Sequence, residues 1–159
     1  MSKAAPVPFE TSHHVRDTCL CLHVQRTARA LSRRFDEAFR CLDLTSGQFS
    51  LLVSLNRAAP PSISSVASLL AMDRTTLTAA LKPLERRGLV KVTVDPRDRR
   101  SRLLKLTAKG RTLLSRAVPI WESSHRAIER QLAVIDPEAL RSNLRVLSAA
   151  DQAKTAPAS

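Results

Sequence analysis

Glycine and aromatic residues are scarce in this sequence. Its 159 residues include three glycines, four phenylalanines, one tryptophan and no tyrosine. So few glycines exclude the glycine-rich loops that cradle phosphates, and no carboxylate pair or nucleophile beside a base is found, so we do not expect an enzyme. The aromatic content is also too low for the stacking platforms of single-stranded nucleic-acid binders.

Cysteines, histidines and long apolar runs are limited as well. The three cysteines are an odd number, which indicates free thiols rather than a disulfide framework, and the four scattered histidines predict no metal site. No stretch approaches the ~18 apolar residues of a membrane-spanning helix, and the first ten residues lack the apolar core of a signal peptide. We therefore expect a cytoplasmic protein without a membrane partner, a cofactor or catalytic residues.

Basic residues are abundant. Twenty-six Lys and Arg face fourteen Asp and Glu, which gives a net charge of +12. Eleven of these cations but only three of the acids fall between Lys82 and Arg111, so this segment holds most of the excess. Such a concentration of positive charge indicates a polyanionic partner, most simply double-stranded DNA.

Two short amphipathic helices are predicted in the segment that precedes this charge. The first runs from Ser62 to Ala71. Its apolar face consists of three residues at helical spacing, Val66, Leu69 and Leu70. The second runs from Arg74 to Arg87, because Asp73 is a favoured N-cap and Gly88 is a favoured stop.

The second of these helices has two contrasting faces. Its inner face consists of leucines spaced four and three residues apart, Leu77, Leu81 and Leu84. Its outer face carries short hydroxyls and long cations, which suit base edges and phosphates. These candidate DNA-binding residues are Arg74, Thr75, Thr76, Thr78, Lys82 and Arg86.

After Gly88 the apolar period changes from helical to alternating. Val90, Val92 and Val94 alternate with polar residues, a charged turn spans Asp95 to Ser101, and leucines alternate again at positions 104 and 106. This pattern predicts a β-hairpin with a charged tip. The order helix, helix, basic hairpin is that of a winged helix-turn-helix.

Two motifs resemble a known family. Asp95-Pro-Arg-Asp-Arg-Arg-Ser-Arg-Leu-Leu-Lys-Leu-Thr-Ala-Lys-Gly110 resembles the wing of the MarR family of bacterial transcription regulators, and Leu44-Thr-Ser-Gly-Gln-Phe49 resembles the start of that family's second helix. The resemblance covers residues from about 20 to about 147. It implies a mainly α fold with a small β wing, in which the terminal helices form a dimerisation region.

The resemblance also implies one domain over residues 1–159. Within it we expect dimerisation helices at 15–42 and 108–151 and a DNA-binding lobe at 45–107. The residues before 15 look like an irregular arm, and a first long helix is predicted from Val15 to Cys41. Helix starts are further predicted at a Thr45–Gln48 capping box, after Thr107 and after Asp136.

The long helices predict an association between two copies of the chain. The first helix, the helix from Ala108 to about Leu132 and the last helix all carry apolar stripes, which the small DNA-binding lobe cannot cover together. A second copy would cover them, which favours a two-fold homodimer; a monomeric bundle is the alternative. The family resemblance implies the dimer, with two recognition helices on half-sites of a palindrome about one DNA turn apart.

The resemblance assigns roles at the tip of the wing. Asp98 would orient Arg100, which would enter the minor groove, and Arg97 and Arg99 would contact phosphates. Pro83 lies inside the recognition helix, where it removes one backbone N–H and is a potential bend, so the residues after Lys82 are placed less securely.

Family resemblance implies two kinds of signal for a repressor of palindromic promoters. One is a small aromatic or phenolic acid, for which the candidate ligand-binding residues are His23, Arg26, Trp121 and His125. The alternative is thiol oxidation, because Leu20-Cys-Leu-His-Val-Gln-Arg-Thr-Ala-Arg-Ala-Leu31 resembles the organic-hydroperoxide repressors, with Cys21 in register with their sensing thiol. Those proteins hold the thiolate with tyrosines, which this chain lacks.

The spacing of two cysteines and the overall basic charge each bear on a further hypothesis. Cys19 and Cys21 fall on the first predicted helix, where side chains two residues apart diverge by about 200°, which excludes a disulfide or a metal clamp between them. A non-specific architectural DNA-binding protein is a remaining alternative, since it would share the basic charge but need no effector site.

Overall fold

The computed structural model describes residues 6–132 and 134–152. Within them the chain forms seven α-helices, two short 3-10 turns and one two-stranded antiparallel hairpin. The elements in chain order are α1 (Phe9–Thr18), α2 (Leu20–Phe39), α3 (Ser46–Ser54), α4 (Ile63–Leu69), α5 (Arg74–Arg86), β1 (Val90–Val94), β2 (Arg102–Leu106), α6 (Ala108–Glu129) and α7 (Pro137–Gln152). The predicted fold class, mainly α with a small β wing, is confirmed.

The prediction for the N-terminal region was wrong in two respects. The helix expected from Val15 to Cys41 is divided at Cys19, whose backbone is extended (φ −70°, ψ 106°), and residues 9–14 are helical rather than an irregular arm. Residues 1–5 lie outside the described part. The division escaped prediction because neither proline nor glycine marks it. The Cys19 N–H still donates to the Val15 carbonyl at 2.9 Å, so the hydrogen bonding of α1 continues up to the break.

This division also removes the argument that excluded a disulfide or a metal clamp between Cys19 and Cys21. Cys19 lies outside both helices, whereas Cys21 lies in the first turn of α2. The divergence of about 200° between residues two apart holds only on a continuous helix. The geometric argument against pairing these two thiols therefore does not apply.

The predicted helix starts are confirmed by their capping hydrogen bonds. Side chains at all four N-caps accept backbone N–H groups of the first turn, as caps of this chemistry do. The donor–acceptor pairs are Gln48 N to Thr45 Oγ1 (3.2 Å), Thr76 N to Asp73 Oδ1 (2.7 Å), Gly110 N to Thr107 Oγ1 (3.0 Å) and Ala139 N to Asp136 Oδ2 (3.1 Å). The capping box at Thr45 is complete, since its N–H also donates to Gln48 Oε1 at 3.2 Å.

The inner face of the second predicted helix is buried, but that of the first is only partly so. Leu77, Leu81 and Leu84 are at most 1% exposed. In α4, Val66 is fully buried, whereas Leu69 is 55% exposed, contrary to prediction. The reason is that Leu69 lines an open groove together with Val53 and Trp121 instead of packing into the core.

The hairpin has the predicted alternation where it meets the core. Val90 pairs with Leu106 and Val92 with Leu104, and both leucines are buried. The Leu104 N–H donates to the Pro61 carbonyl at 2.9 Å, which joins β2 to the start of α4. Val94, near the tip, is 50% exposed.

A close backbone contact joins the end of α5, the hairpin and α6. Gly110, in the first turn of α6, lies so near Leu89 that a Cβ on Gly110 would be 2.1 Å from the Leu89 carbonyl oxygen. The Thr107 hydroxyl donates to the Gly88 carbonyl at 2.7 Å, and the Thr107 N–H donates to the Leu89 carbonyl at 3.1 Å. The relative position of these three elements is thus set by backbone atoms.

The terminal helices leave apolar side chains uncovered in the single chain. At the start of α2, Leu20 is 67% exposed and Val24 is 42% exposed. Three leucines of α7 are also exposed: Leu140, Leu144 and Leu147. Among the helices of the described residues, none has the length and apolar content to cross a membrane.

An ion pair between Arg141 and Glu129 attaches α7 to the end of α6, and two further ion pairs lie within α7. Arg141 contacts Glu129 at 2.7 Å and Glu138 at 2.9 Å, and Arg145 contacts Glu138 at 2.6 Å. The hydrogen bond from Arg141 lowers the pKa of the Glu129 carboxyl group, and that from Arg145 lowers the pKa of Glu138. Both carboxylates are accessible to solvent and are screened by salt, so these ion pairs contribute little to the stability of α7.

The contact at Gly110 predicts a contrast between two glycine substitutions. Gly110→Ala should lower the free energy of unfolding by roughly 2–4 kcal/mol, because the new methyl group would overlap the Leu89 carbonyl. Gly47→Ala should instead leave stability unchanged or raise it by up to about 1 kcal/mol, because nothing lies within 4 Å and alanine favours helix. Chemical denaturation at equal chain concentration measures both, and equal effects would refute the proposed role of the contact.

Candidate nucleic-acid interface

The outer face of α5 is an exposed polar surface. The buried leucines of the opposite face hold the helix against the core, so its outward residues project away from the protein. All six predicted outward residues are exposed, namely Arg74, Thr75, Thr76, Thr78, Lys82 and Arg86. The helix continues through Pro83 to Arg86, and the Arg87 N–H donates to the Pro83 carbonyl at 3.1 Å, so Arg86 shares one helix with Arg74.

The threonines of this face differ in their internal hydrogen bonds. The Thr76 hydroxyl lies 2.5 Å from Asp73 Oδ2, and the Thr78 hydroxyl donates to the Arg74 carbonyl at 2.7 Å. Among the described residues, the Thr75 hydroxyl has no partner. The hydrogen bond from the Thr76 hydroxyl is the main cause that lowers the pKa of Asp73, so this carboxyl group is ionised at neutral pH.

The wing tip is closed by turn hydrogen bonds. Asp95 Oδ1 accepts the Arg97 N–H and Asp98 Oδ1 accepts the Arg100 N–H, both at 2.9 Å. Across the tip, the Asp95 N–H donates to the Ser101 carbonyl at 3.1 Å. Asp98 therefore contacts the backbone of Arg100 rather than its guanidinium, and the exposed arginine side chains project from an ordered turn.

The eleven cations between residues 82 and 111 fall into two groups. Four donate to backbone carbonyls: Arg87 to Asp43 and Leu42, Arg102 to Arg99 and Ser101, Lys109 to Arg87, and Arg111 to Leu106. Within the described part of the chain, the side chains of the other seven make no hydrogen bond or ion pair. These seven are Lys82, Arg86, Lys91, Arg97, Arg99, Arg100 and Lys105.

This division was not visible in the sequence. Arg87 lies 44 residues from Asp43, whose carbonyl it contacts, and Lys109 lies 22 residues from Arg87. No local pattern distinguishes Arg87 and Lys109 from exposed cations, because their partners are carbonyl oxygens of distant backbone, whereas Arg102 and Arg111 donate to carbonyls within five residues. The uncompensated cations lie on α5 and on the wing, where they create a positive potential suited to phosphates.

The four predicted effector residues lie on two separate surfaces in the single chain. His23 and Arg26 lie on one side of α2 together with Arg29 and Arg33. Trp121 instead lines an apolar groove of about 410 Å³ between α3, α4 and α6. The groove is lined by Phe49, Ser50, Val53, Ser54, Leu69, Leu70, Val118 and Trp121.

Aromatic stacking connects this groove with the core. The Trp121 and His125 rings are stacked with centroids 4.7 Å apart and an interplanar angle of 11°. On the other side, the rings of Trp121 and Phe49 lie 6.4 Å apart, and Phe49 stacks on Phe39 at 4.8 Å. The groove therefore has a rigid aromatic wall, and His125 lies at the end of the aromatic column.

The candidate redox residue is accessible. Cys21 is exposed, and Gln25 Nε2 lies 3.2 Å from its sulfur. The nearby Arg16 guanidinium is bonded to Asp17 at 2.6 and 2.8 Å rather than to the thiol.

Comparison of sequences reveals related regulators. The model of the MarR family matches residues 44–101. HosA, a transcriptional regulator of Escherichia coli O111:H-, is 40% identical to this chain over 83 residues, which are 51% of the chain and 60% of HosA. The matched segment therefore spans less than two thirds of that relative.

Solved structures are similar over more of the chain. The transcriptional regulator MosR of M. tuberculosis, solved in complex with DNA, is 34% identical to this chain, with a TM-score of 0.78. The match covers 87% of this chain and 99% of the MosR chain. The transcriptional repressor CouR, bound to a 23-mer DNA duplex, is 28% identical, with a TM-score of 0.67. The match covers 93% of this chain and 99% of the CouR chain. CouR of Rhodococcus jostii RHA1 has also been solved with p-coumaroyl-CoA.

Proposed function

Because this chain belongs to the MarR family of DNA-binding transcription regulators, we propose that it is a homodimeric repressor of palindromic promoters. The observation that carries this proposal is the division of the cations. Four of them are occupied by the protein's own carbonyls, whereas those on α5 and the wing tip have no partner within the described residues. The cations whose side chains are free to contact phosphates thus coincide with the two elements that enter DNA grooves in winged helix-turn-helix proteins.

The proposal assigns α5 to the major groove and the wing to the minor groove. Arg74, Thr75, Thr76 and Thr78 would face base edges near the N-terminus of α5, and Lys82 and Arg86 would contact phosphates or guanine. Arg100 would enter the minor groove from a turn held by Asp98, with Arg97 and Arg99 on the flanking phosphates. Gene regulation by this route would take place in the cytoplasm.

The homodimer is proposed from the exposed apolar residues of the terminal helices. Leu20 and Val24 on α2 and the three exposed leucines of α7 would be buried against a second copy. Two copies related by a two-fold axis would present two α5 helices to half-sites about one DNA turn apart. The dimerisation helices would then be those of residues 15–42 and 108–151, and the DNA-binding lobe residues 45–107.

For the signal, we propose a small aromatic acid bound in the groove beside Trp121. The groove is mostly apolar, its aromatic wall would stack on a ring, and the Ser50 and Ser54 side chains line it. His125, stacked on Trp121, is a candidate partner for a carboxylate, which would compete with the Glu129 carboxylate that lies 3.1 Å from His125 Nε2. The relative CouR binds an aromatic acyl compound, p-coumaroyl-CoA. His23 and Arg26 lie on the separate surface of α2, so they would belong to a different ligand site.

A thiol switch at Cys21 is the second candidate. The observation that favours it is the exposure of Cys21 next to a division between helices, where a change at the thiol would act on the α1–α2 junction. A hydroperoxide would oxidise such a thiolate to a sulfenic acid, with release of the alcohol.

The first experiment compares the affinity of the purified protein for a palindromic duplex from its own promoter and for a scrambled duplex at the same salt concentration. We expect binding at least ~10³-fold tighter to the palindrome, with two chains per duplex, because base contacts add to the phosphate contacts. Equal affinity for both duplexes would contradict the proposal and favour an architectural DNA-binding protein.

A second experiment identifies the signal by titrating the preformed complex with a panel of aromatic carboxylates and, separately, with cumene hydroperoxide. If a ligand acts in the groove, an aromatic acid should release the DNA, and Val53→Trp should weaken that effect by filling the groove. If the thiol acts, peroxide should release the DNA, a thiol reductant should restore binding, and Cys21→Ser should be insensitive. Cys41→Ser, which alters another exposed thiol, is the matched control and should behave as wild type.

A further inference from the structure

At the N-cap of α5, a hydrogen bond joins the Thr76 hydroxyl and the Asp73 carboxylate, and only one of the two groups can be its donor. Asp73 Oδ1 accepts the Thr76 N–H at 2.7 Å, and Asp73 Oδ2 lies 2.5 Å from the Thr76 hydroxyl. A carboxylate has no hydrogen to donate, so the hydroxyl must be the donor. Its hydrogen is therefore directed at Asp73, and the outward side of the hydroxyl oxygen presents a lone pair.

This direction limits what Thr76 can recognise. In the major groove, adenine N6 and cytosine N4 present hydrogen-bond donors, whereas guanine O6 and thymine O4 present acceptors. A hydroxyl whose hydrogen is already used can accept a hydrogen bond from adenine N6 or cytosine N4. It repels guanine O6 and thymine O4, because neither of the two oxygens has a hydrogen to donate. Thr75 differs, because among the described residues its hydroxyl has no partner and is free to rotate into either role.

We propose that Asp73 is a positioning residue for base recognition, which makes Thr76 an obligate hydrogen-bond acceptor and so selects adenine or cytosine at the base it faces. This inference rests on the proposed function, in which Thr76 faces a base edge. It adds the chemical class of base that the helix selects and the residue that imposes the selection without touching DNA.

Replacing Asp73 with asparagine should reverse the direction of this contact without removing the cap. The side-chain oxygen of asparagine must face the Thr76 N–H, since two donors would otherwise oppose each other, and this places the amide NH2 opposite the hydroxyl. The NH2 group donates to the hydroxyl oxygen, and the hydroxyl hydrogen becomes free to donate outward. Thr76 can then bind guanine O6 or thymine O4.

The experiment selects an operator from a randomised duplex library with the wild-type protein and then measures affinity for all single base-pair changes in it. Thr76→Val, which removes the hydroxyl but keeps the shape, identifies the base pair that Thr76 reads, since discrimination there should disappear. At that pair the wild type should prefer adenine or cytosine by about three- to tenfold. Asp73→Asn should reduce this preference to below about twofold or invert it.

A matched control separates direction from charge. Asp95→Asn removes the same charge from a wing carboxylate that also accepts a backbone N–H, that of Arg97. It should raise the overall affinity as Asp73→Asn does, because a negative charge near DNA is lost, but it should leave the base preference at the Thr76 pair unchanged. A merely structural role of Asp73 would alter affinity at every base pair alike.

The possible failures are distinguishable. If Asp73→Asn keeps the wild-type preference at the pair that Thr76→Val identifies, or if Thr76→Val alters no position, the inference is wrong while the repressor proposal stands. If the wild-type protein enriches no sequence from the library, both the proposed function and this inference are overturned.

Discussion

The arrangement of the DNA-binding elements depends on the contact between Gly110 and the Leu89 carbonyl. Only a residue without a side chain allows the first turn of α6 to lie against the strand start that follows α5. Thr107 adds hydrogen bonds to the carbonyls of Gly88 and Leu89, and Lys109 adds one to that of Arg87. The end of the recognition helix, the base of the wing and the long helix α6 thus share one rigid joint, through which a change at the terminal helices would reach the DNA-binding face.

The same joint accounts for the distribution of charge. A chain of net charge +12 could distribute its cations without order, yet some of those between residues 82 and 111, such as Arg87 and Arg111, are hydrogen-bonded to backbone carbonyls. The carbonyls at helix and strand ends carry partial negative charge, which suits guanidinium and ammonium groups. Among the described residues, the cations of this segment without a hydrogen bond or ion pair lie on α5 and the wing. The fold, rather than the residue type, therefore separates the cations bonded to the protein's own backbone from those that are free.

How much the sequence revealed depended on the range of the interactions. The four helix caps were predictable because each involves residues at most three positions apart, as with Asp73 and Thr76. The recognition helix and the wing followed from apolar periodicity. The division at Cys19 was not predictable, since no proline or glycine marks it, and the role of Arg87 was not, since its partner lies 44 residues away. The exposure of Leu69 and the separation of His23 from Trp121 likewise depend on tertiary packing.

A homodimer on a palindrome would place two wings in two minor grooves, on either side of two recognition helices. A hydroxyl-radical footprint of the operator, taken at saturating wild-type protein and at saturating Arg100→Ala, tests this most directly because the radical attacks sugars exposed in the minor groove. We expect two protected patches related by the two-fold axis of the palindrome, and their loss in Arg100→Ala together with about 1–3 kcal/mol of binding free energy. One continuous protected region, or patches that persist without Arg100, would contradict the account.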